Sequence, residues 1–164
     1  MLKRIALLLV ATLLFTFEIG ISSAGALQLS DEVRTVKLNE QGEETVIPLK
    51  KYKLGEKIFV DTCSQCHNSG RTKTNPNVSL SSTDLQIAYP PRDNVEEMVS
   101  YLKEPYSYDG EIDISLFHPN TKRSDIFAEM RNLNEEDLEA VSGYILIQPA
   151  VRGDQFWGGG KVYN

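Results

Sequence analysis

The 164-residue sequence is poor in the side chains that build metal clusters and disulfide networks. It has two cysteines, Cys63 and Cys66, and two histidines, His67 and His118. A closed zinc site with four Cys or His ligands would therefore need all four of them. Basic residues are also scarce, with 17 Lys and Arg against 23 Asp and Glu, a net charge of −6. This acidity disfavours nucleic acid and anionic lipid surfaces as partners, and favours a basic protein partner.

Long apolar runs are missing from the chain except at its start. Ile5 to Phe17 is an apolar run of 13 residues, preceded by Lys3 and Arg4 and followed by the small residues 24–26. The run is shorter than the roughly 20 residues that span a membrane. This order is typical of a secretory signal peptide, residues 1–26, with cleavage after Ala26; an uncleaved anchor is the alternative. Removal of two basic residues and one acidic residue would leave 15 basic and 22 acidic residues, a net charge of −7.

The sequence contains no internal repeat and no low-complexity block. Residues 27–164 therefore suit a single domain with one modest core. We predict an N-terminal hairpin in residues 27–50, a mainly helical cofactor-binding core in 51–149 and an extended tail in 150–164. The tail is glycine-rich and its aromatic residues are irregularly spaced, so we interpret it as a strand that docks on a partner.

The apolar spacing predicts several elements within this domain. A β-hairpin should turn at Asn39 to Gly42, and helices are expected over about 51–65, 95–104 and 124–130, followed by a final helix. Asn94 and Asn134 have the sequence context of helix caps, and Pro149 should end the last helix. Residues 68–91 and 109–120 read mostly as loops.

The sequence Cys63-Ser64-Gln65-Cys66-His67 carries the strongest chemical signal. Covalent attachment of haem needs two thiols spaced to meet two vinyl groups, and an imidazole next to the second thiol can reach the iron. The motif therefore predicts one covalent haem c. A zinc site is the alternative, but His67 is awkwardly placed for one. A thioredoxin-like pair would follow a strand, and a plain disulfide leaves His67 unexplained.

The second axial ligand of the iron has three candidates: His118, Met98 and Met130. Met98 lies inside a predicted helix, where a core role is the simpler interpretation. Met130 precedes the last helix, where a class I cytochrome often places its axial methionine. We favour His118, because residues 112–117 form an apolar approach to it and Pro119 stiffens the loop. Two imidazole ligands would stabilise ferric iron and lower the reduction potential.

Several sequence blocks resemble the extrinsic cytochrome c-550 family of photosystem II. The blocks are the haem motif, Thr72 to Pro76, Pro90 to Asn94, Tyr108 to Gly110, His118-Pro119, Met130 to Leu133 and Trp157 to Tyr163. The resemblance implies a class I cytochrome c-like helical fold, iron ligation by His67 and His118, and Met130 near the haem but unbound. It also implies a non-enzymatic subunit in the thylakoid lumen, peripheral on the membrane and docked on the photosystem II core with other extrinsic subunits. There it would stabilise the manganese cluster with its calcium and chloride.

The resemblance adds two expectations about individual residues. Gly55 and Phe59 should cross the last helix at Gly143 and Tyr144, as the first and last helices of class I cytochromes do. Asn75 is a candidate hydrogen-bond donor to a haem propionate.

A soluble mobile electron carrier is the alternative function, and a haem enzyme is disfavoured because two histidines leave no open position on the iron.

Overall fold

The structure is a computed structural model that describes residues 29–159. The predicted signal peptide and the last five residues of the predicted tail lie outside this range. Two strands, β1 (Thr35–Lys37) and β2 (Glu44–Val46), precede four α-helices: α1 (Leu49–Ile58), α2 (Ser82–Ile87), α3 (Val95–Lys103) and α4 (Glu135–Arg152). Within residues 29–159, no helix has both the length and the apolarity needed to cross a membrane.

The predicted β-hairpin is present. Strands β1 and β2 pair antiparallel, with Val36 opposite Thr45. Gly42 in the turn has a φ of 81°, a left-handed conformation that glycine adopts at little cost. Ile47, directly after β2, is buried against Gly143, where an added Cβ would lie 2.8 Å from Ile47 Cδ1. The hairpin is therefore held against the last helix.

Helices α1 and α4 cross at close range and form the centre of the core. A Cβ added to Gly55 would overlap the Ala140 carbonyl and lie 2.8 Å from Tyr144 Cβ. Phe59 packs on Tyr144 with ring centroids 5.4 Å apart. The predicted crossing of Gly55 and Phe59 with Tyr144 agrees with this packing. The expectation for Gly143 is wrong, because Ala140 faces Gly55 while Gly143 faces Ile47.

The last helix continues past the predicted stop. Asn134 caps α4 with a reciprocal capping box to Asp137, as the sequence indicates, but Pro149 lies inside the helix and α4 runs on to Arg152. A proline removes one backbone hydrogen bond, and here it does so near the end of a helix whose preceding turns are packed on α1. The helix ends where Gly153 N–H donates to the Pro149 carbonyl at 2.9 Å.

Two short elements differ from the sequence-based expectation. Helix α2 lies in a region read mostly as loop, and Ser81 caps it by accepting a hydrogen bond from Asp84 N at 3.1 Å. The predicted helix over 124–130 is reduced to a 3₁₀ turn, Ala128–Met130. Segments of this length bury too few apolar residues for periodicity to distinguish a helix from a loop.

The start of the predicted tail packs on the domain itself. Trp157 is buried, with its ring centroid 5.3 Å from that of Phe59. Gly158 N–H donates to the Ser69 carbonyl at 2.8 Å, and Arg71 Nε donates to the Gly159 carbonyl at 2.8 Å. Trp157 therefore belongs to the core of its own chain. The docking interpretation stays a prediction for residues 160–164.

Candidate cofactor site

A cavity of about 470 Å³ lies between the Cys-x-x-Cys-His segment and the loop of residues 105–119. Cys63, Cys66, His67 and His118 all line it, together with mostly apolar side chains. Its volume falls within the range of roughly 300–1,000 Å³ typical of ligand and cofactor sites. In the described part of the chain, no three His, Cys, Asp or Glu side chains converge as a metal-binding group.

A change of helical pitch brings the motif to the cavity wall. After α1 the backbone widens into a single π-helical turn, Phe59–Cys63, in which Ser64 N–H donates to the Phe59 carbonyl at 2.9 Å. Turns of this kind occur frequently at functional sites. His67 N–H then donates to the Cys63 carbonyl at 2.9 Å, which keeps the motif compact. The two cysteines form no disulfide.

The two cysteines differ in their surroundings. Cys66 is exposed, whereas Cys63 packs against the hydrophobic core. Burial, together with the nearby Cys66, raises the pKa of the Cys63 thiol to about 12. Cys63 is therefore a neutral thiol at physiological pH, and neither sulfur atom is held in a disulfide.

The rings of His67 and His118 lie close together, with centroids 6.1 Å apart and planes tilted by 52°. His118 Nδ1 lies 2.9 Å from the Pro119 carbonyl, which only accepts, so Nδ1 carries the proton and Nε2 keeps its lone pair. His67 Nδ1 lies 3.2 Å from Thr72 Oγ1, a hydroxyl that can accept a proton from Nδ1 and leave Nε2 for a metal. Two imidazoles on opposite sides of one metal, with bonds of about 2 Å, have ring centres about 6 Å apart. The pair fits a single metal centre such as haem iron.

Both imidazoles are neutral in this environment. Burial, followed by the proximity of His67, lowers the pKa of His118 to about 4. Burial also lowers the pKa of His67. A neutral imidazole nitrogen is the form that binds a metal, so protonation does not compete with ligation near neutral pH.

Buried hydrogen bonds support the loop that carries His118. His118 N–H donates to the Ile114 carbonyl at 2.9 Å. Asn120 is fully buried, and its Nδ2 donates to the carbonyls of Ser115 at 2.9 Å and His118 at 2.7 Å. Asn120 was missed in the sequence, where it stands in a polar stretch with no periodic signal.

The two candidate methionines are both buried on the cavity wall. Met98 lies in α3, in agreement with its interpretation as a core residue. The 3₁₀ turn that ends at Met130 packs on the π-helical turn Phe59–Cys63. All three candidate ligands therefore lie on the cavity wall, and His118 is the one whose ring centroid is 6.1 Å from that of His67.

Some polar residues of the cavity were expected from the sequence, and others were not. Asn75 lines the cavity, as its predicted propionate contact requires, and its Oδ1 accepts from Asn77 N at 3.2 Å. Arg92 is a buried lining residue that was not predicted as part of the site. Tyr101 was also missed, and its ring lies edge-on to His118 at a centroid distance of 5.0 Å. A tyrosine and an arginine in a polar sequence carry no pattern that would reveal such a position.

A family model described as the cytochrome c-550 domain matches residues 27–164. The chain belongs to this family. It is 52% identical to photosystem II extrinsic protein V of Aphanothece halophytica over the full length of both chains. It is 51% identical to the protein of the same name from Nostoc punctiforme, over 99% of each chain. These relatives are named as extrinsic proteins of photosystem II, and the description of the matching family is that of a cytochrome.

Solved structures of the family support the fold. A crystal structure of cytochrome c549 superposes with a TM-score of 0.76 at 51% identity, covering 78% of this chain and 99% of that one. The PsbV2 cytochrome of Thermosynechococcus elongatus superposes with a TM-score of 0.63 at 31% identity, covering 76% and 87%. The predicted cytochrome c-like helical fold with an N-terminal hairpin is confirmed, and the family implies a haem cofactor.

Proposed function

We propose that the chain is a low-potential cytochrome with one covalent haem c, held through Cys63 and Cys66 and ligated by His67 and His118. The observation that carries the proposal is the pair of imidazole rings, 6.1 Å apart, in a cavity whose wall also holds both thiols. When bound, the haem supplies one-electron exchange between ferric and ferrous iron. Two imidazoles stabilise the ferric state more than a histidine and a methionine do, so the potential is low.

The chain's own residues orient the ligands and exclude competing chemistry. Thr72 and the Pro119 carbonyl fix the two imidazole rings through Nδ1. Hydrogen bonds of this kind set the tautomer and ring orientation of metal-ligating histidines. Buried Met98 and Leu102 line the cavity and limit the access of water. With two histidines on the iron, no position is left for an oxidising substrate, which argues against a peroxidase.

We further propose that the protein is an extrinsic subunit on the lumenal face of photosystem II. The names of the relatives support this assignment, and so does the acidic chain, which suits docking on a basic protein surface. Export by the signal peptide, residues 1–26, would deliver it to the thylakoid lumen. In this position the subunit would stabilise the manganese cluster and retain its calcium and chloride. Residues 160–164 would form part of the contact.

A soluble electron carrier is the second candidate function. It is favoured by Phe117, which lines the cavity and is 83% exposed, and by the exposed Ile112 and Leu116 of the same loop. A small exposed apolar patch next to a cofactor suits transient docking on a redox partner. The identity of the second iron ligand separates the two functions, since a carrier needs the higher potential that methionine ligation gives.

Mass spectrometry and near-infrared absorption of the protein matured with haem test the ligand set. The mass should increase by one haem, and the ferric protein should lack the charge-transfer band of a methionine–iron bond. His118→Met should create that band and raise the potential, whereas Met130→Leu should leave both unchanged. A band in the unaltered protein that Met130→Leu abolishes would overturn the assignment of His118.

Reconstitution tests the proposed partner. Photosystem II particles stripped of their extrinsic proteins should bind the holoprotein and recover oxygen evolution at low calcium and chloride. A chain truncated after residue 159 should bind more weakly if the terminal residues dock. The carrier function would be favoured instead if the holoprotein failed to bind but exchanged electrons rapidly with soluble partners.

A further inference from the structure

Arg92 is a buried cation whose hydrogen-bonding capacity is only partly used. It is 7% exposed, and its Nη2 donates to the carbonyls of Tyr106 at 3.0 Å and Ser107 at 2.7 Å. Its guanidinium carbon lies 4.0 Å from the centroid of the Tyr101 ring. Nε is buried with no partner, and Nη1 donates to no residue within 29–159. The plane of the guanidinium is thus fixed while several N–H groups stay free.

No carboxylate in the described chain neutralises this cation. Asp93, the next residue, pairs with Lys37. Asp84 Oδ2 accepts from Ser79 N at 2.8 Å and from Ser79 Oγ at 2.5 Å. Asp109 is exposed and accepts from Ser107 Oγ at 2.5 Å. Burying an unpaired charge is costly, and burial lowers the pKa of Arg92 accordingly. The described chain therefore provides this cation with two carbonyls and an aromatic ring but with no carboxylate partner.

Arg92 lines the cavity between His67 and His118. A guanidinium recognises carboxylates well, because its N–H groups diverge in a fixed planar fork. We propose that Arg92 binds one propionate carboxylate of the haem, with Nη1 as a donor, and that this pair is the charge-compensating contact of the site. The inference rests on the proposed haem, and it assigns to Arg92 the kind of role that the sequence suggested for Asn75.

The position of Arg92 links this contact to the iron ligand. The Tyr101 ring lies between them: Arg92 stacks on it, and the ring meets His118 edge-on at 5.0 Å. Arg92 also holds the carbonyls of Tyr106 and Ser107 at the start of the loop that ends at His118. A neutral replacement would leave a propionate charge uncompensated close to the iron. Ferric iron would then be stabilised and the reduction potential would fall.

Two readouts on holoprotein variants test the proposal. Arg92→Gln should shift the propionate bending band in the resonance Raman spectrum and lower the equilibrium constant for reduction about tenfold, which is about 59 mV for one electron. Arg92→Lys keeps the charge and should recover most of the potential. Arg131→Gln removes an exposed arginine outside the cavity lining and should change neither readout.

The possible outcomes distinguish the proposal from a purely structural role for Arg92, from binding of a free anion, and from failure of the proposed function itself. A propionate band that is unshifted in both Arg92 variants overturns it, since a merely structural arginine would alter stability alone. A potential that depends on chloride concentration at constant ionic strength also overturns it, by assigning Nη1 to a free anion. If Arg92→Gln does not fold, the band of Arg92→Lys decides. Failure of the unaltered protein to gain the mass of a haem would instead refute the proposed function.

Discussion

The two sides of the core are built differently. On one side, α1 and α4 cross so closely that Gly55 faces the Ala140 backbone, and Tyr144 is enclosed by other rings. On the cavity side, the loop 105–119 exposes Leu116 and Phe117, and buried polar groups such as Asn120 hold its backbone. The crossing is specified by shape, whereas the cavity wall is specified by hydrogen bonds to carbonyls.

This difference has a consequence for where the cofactor matters. The crossing gains its stability from apolar burial within the chain, and that burial does not depend on a ligand. The loop 105–119 has fewer buried apolar side chains of its own. Contacts with haem would therefore contribute more to holding this loop in one conformation. Substitutions at the crossing should therefore change global stability, and those at the cavity should change the spectrum and potential as well.

Trp157 joins the two sides, and its removal should have the largest effect. Its ring packs on Phe59 at the crossing, and a Cβ on Gly70, in the loop after the haem motif, would lie 2.9 Å from it. Trp157→Ala should lower the free energy of unfolding by about 4 kcal/mol, measured by urea denaturation of the holoprotein. Phe156→Ala, at an exposed neighbour, should cost almost nothing. Equal costs would mean that the tail contributes no packing.

Gly55→Ala should disrupt the crossing of α1 and α4 and have the second largest effect on the free energy of unfolding. The methyl group would overlap the Ala140 carbonyl, and because this is backbone the helices must move apart. The expected loss is about 3 kcal/mol, although alanine is the better helix former. Lys53→Ala, at an exposed position of α1, should have a free energy of unfolding within about 0.5 kcal/mol of that of the unaltered protein. A neutral Gly55→Ala would contradict the close approach of the two helices.

The sequence predicted the crossing better than the cavity wall. Periodic apolar residues and the cap at Asn134 indicate α1, α3 and α4, and the Cys-x-x-Cys-His motif indicates the site directly. Arg92 and Asn120 were not found, because a single polar residue in a loop looks the same whether it is buried or solvated. Pro149 was misjudged because tertiary packing carries α4 through one missing hydrogen bond. Local patterns reveal elements, and the polar supports of a site appear only in three dimensions.

Asn120→Ala tests the cavity side directly. It would leave the Ser115 and His118 carbonyls without their buried donor, at a cost of about 2 kcal/mol. Because the substitution loosens the loop that carries His118, the low-spin electron paramagnetic resonance signal of the ferric haem should also broaden. Asn77→Ala, at an exposed loop asparagine, is the control for stability. A change in stability with an unaltered signal would show that the loop does not orient His118.

The smallest predicted effects come from two helix caps of the same residue type, one on each side. Asn134 Oδ1 accepts from Asp137 N at 3.2 Å at the start of α4, and Asn94 Oδ1 accepts from Glu97 N at 3.0 Å at the start of α3. Loss of such a cap typically costs about 1 kcal/mol. Asn134 is exposed, so water replaces part of the lost bond, whereas Asn94 is 1% exposed and Asn94→Ala should cost more.

Helix α3 carries Tyr101 against His118, so Asn94→Ala should also shift the reduction potential, and Asn134→Ala should not. Denaturant titrations paired with redox titrations of the two variants measure both quantities. Equal shifts in the reduction potentials of the two variants would contradict the division of the core into a packed side and a cavity side.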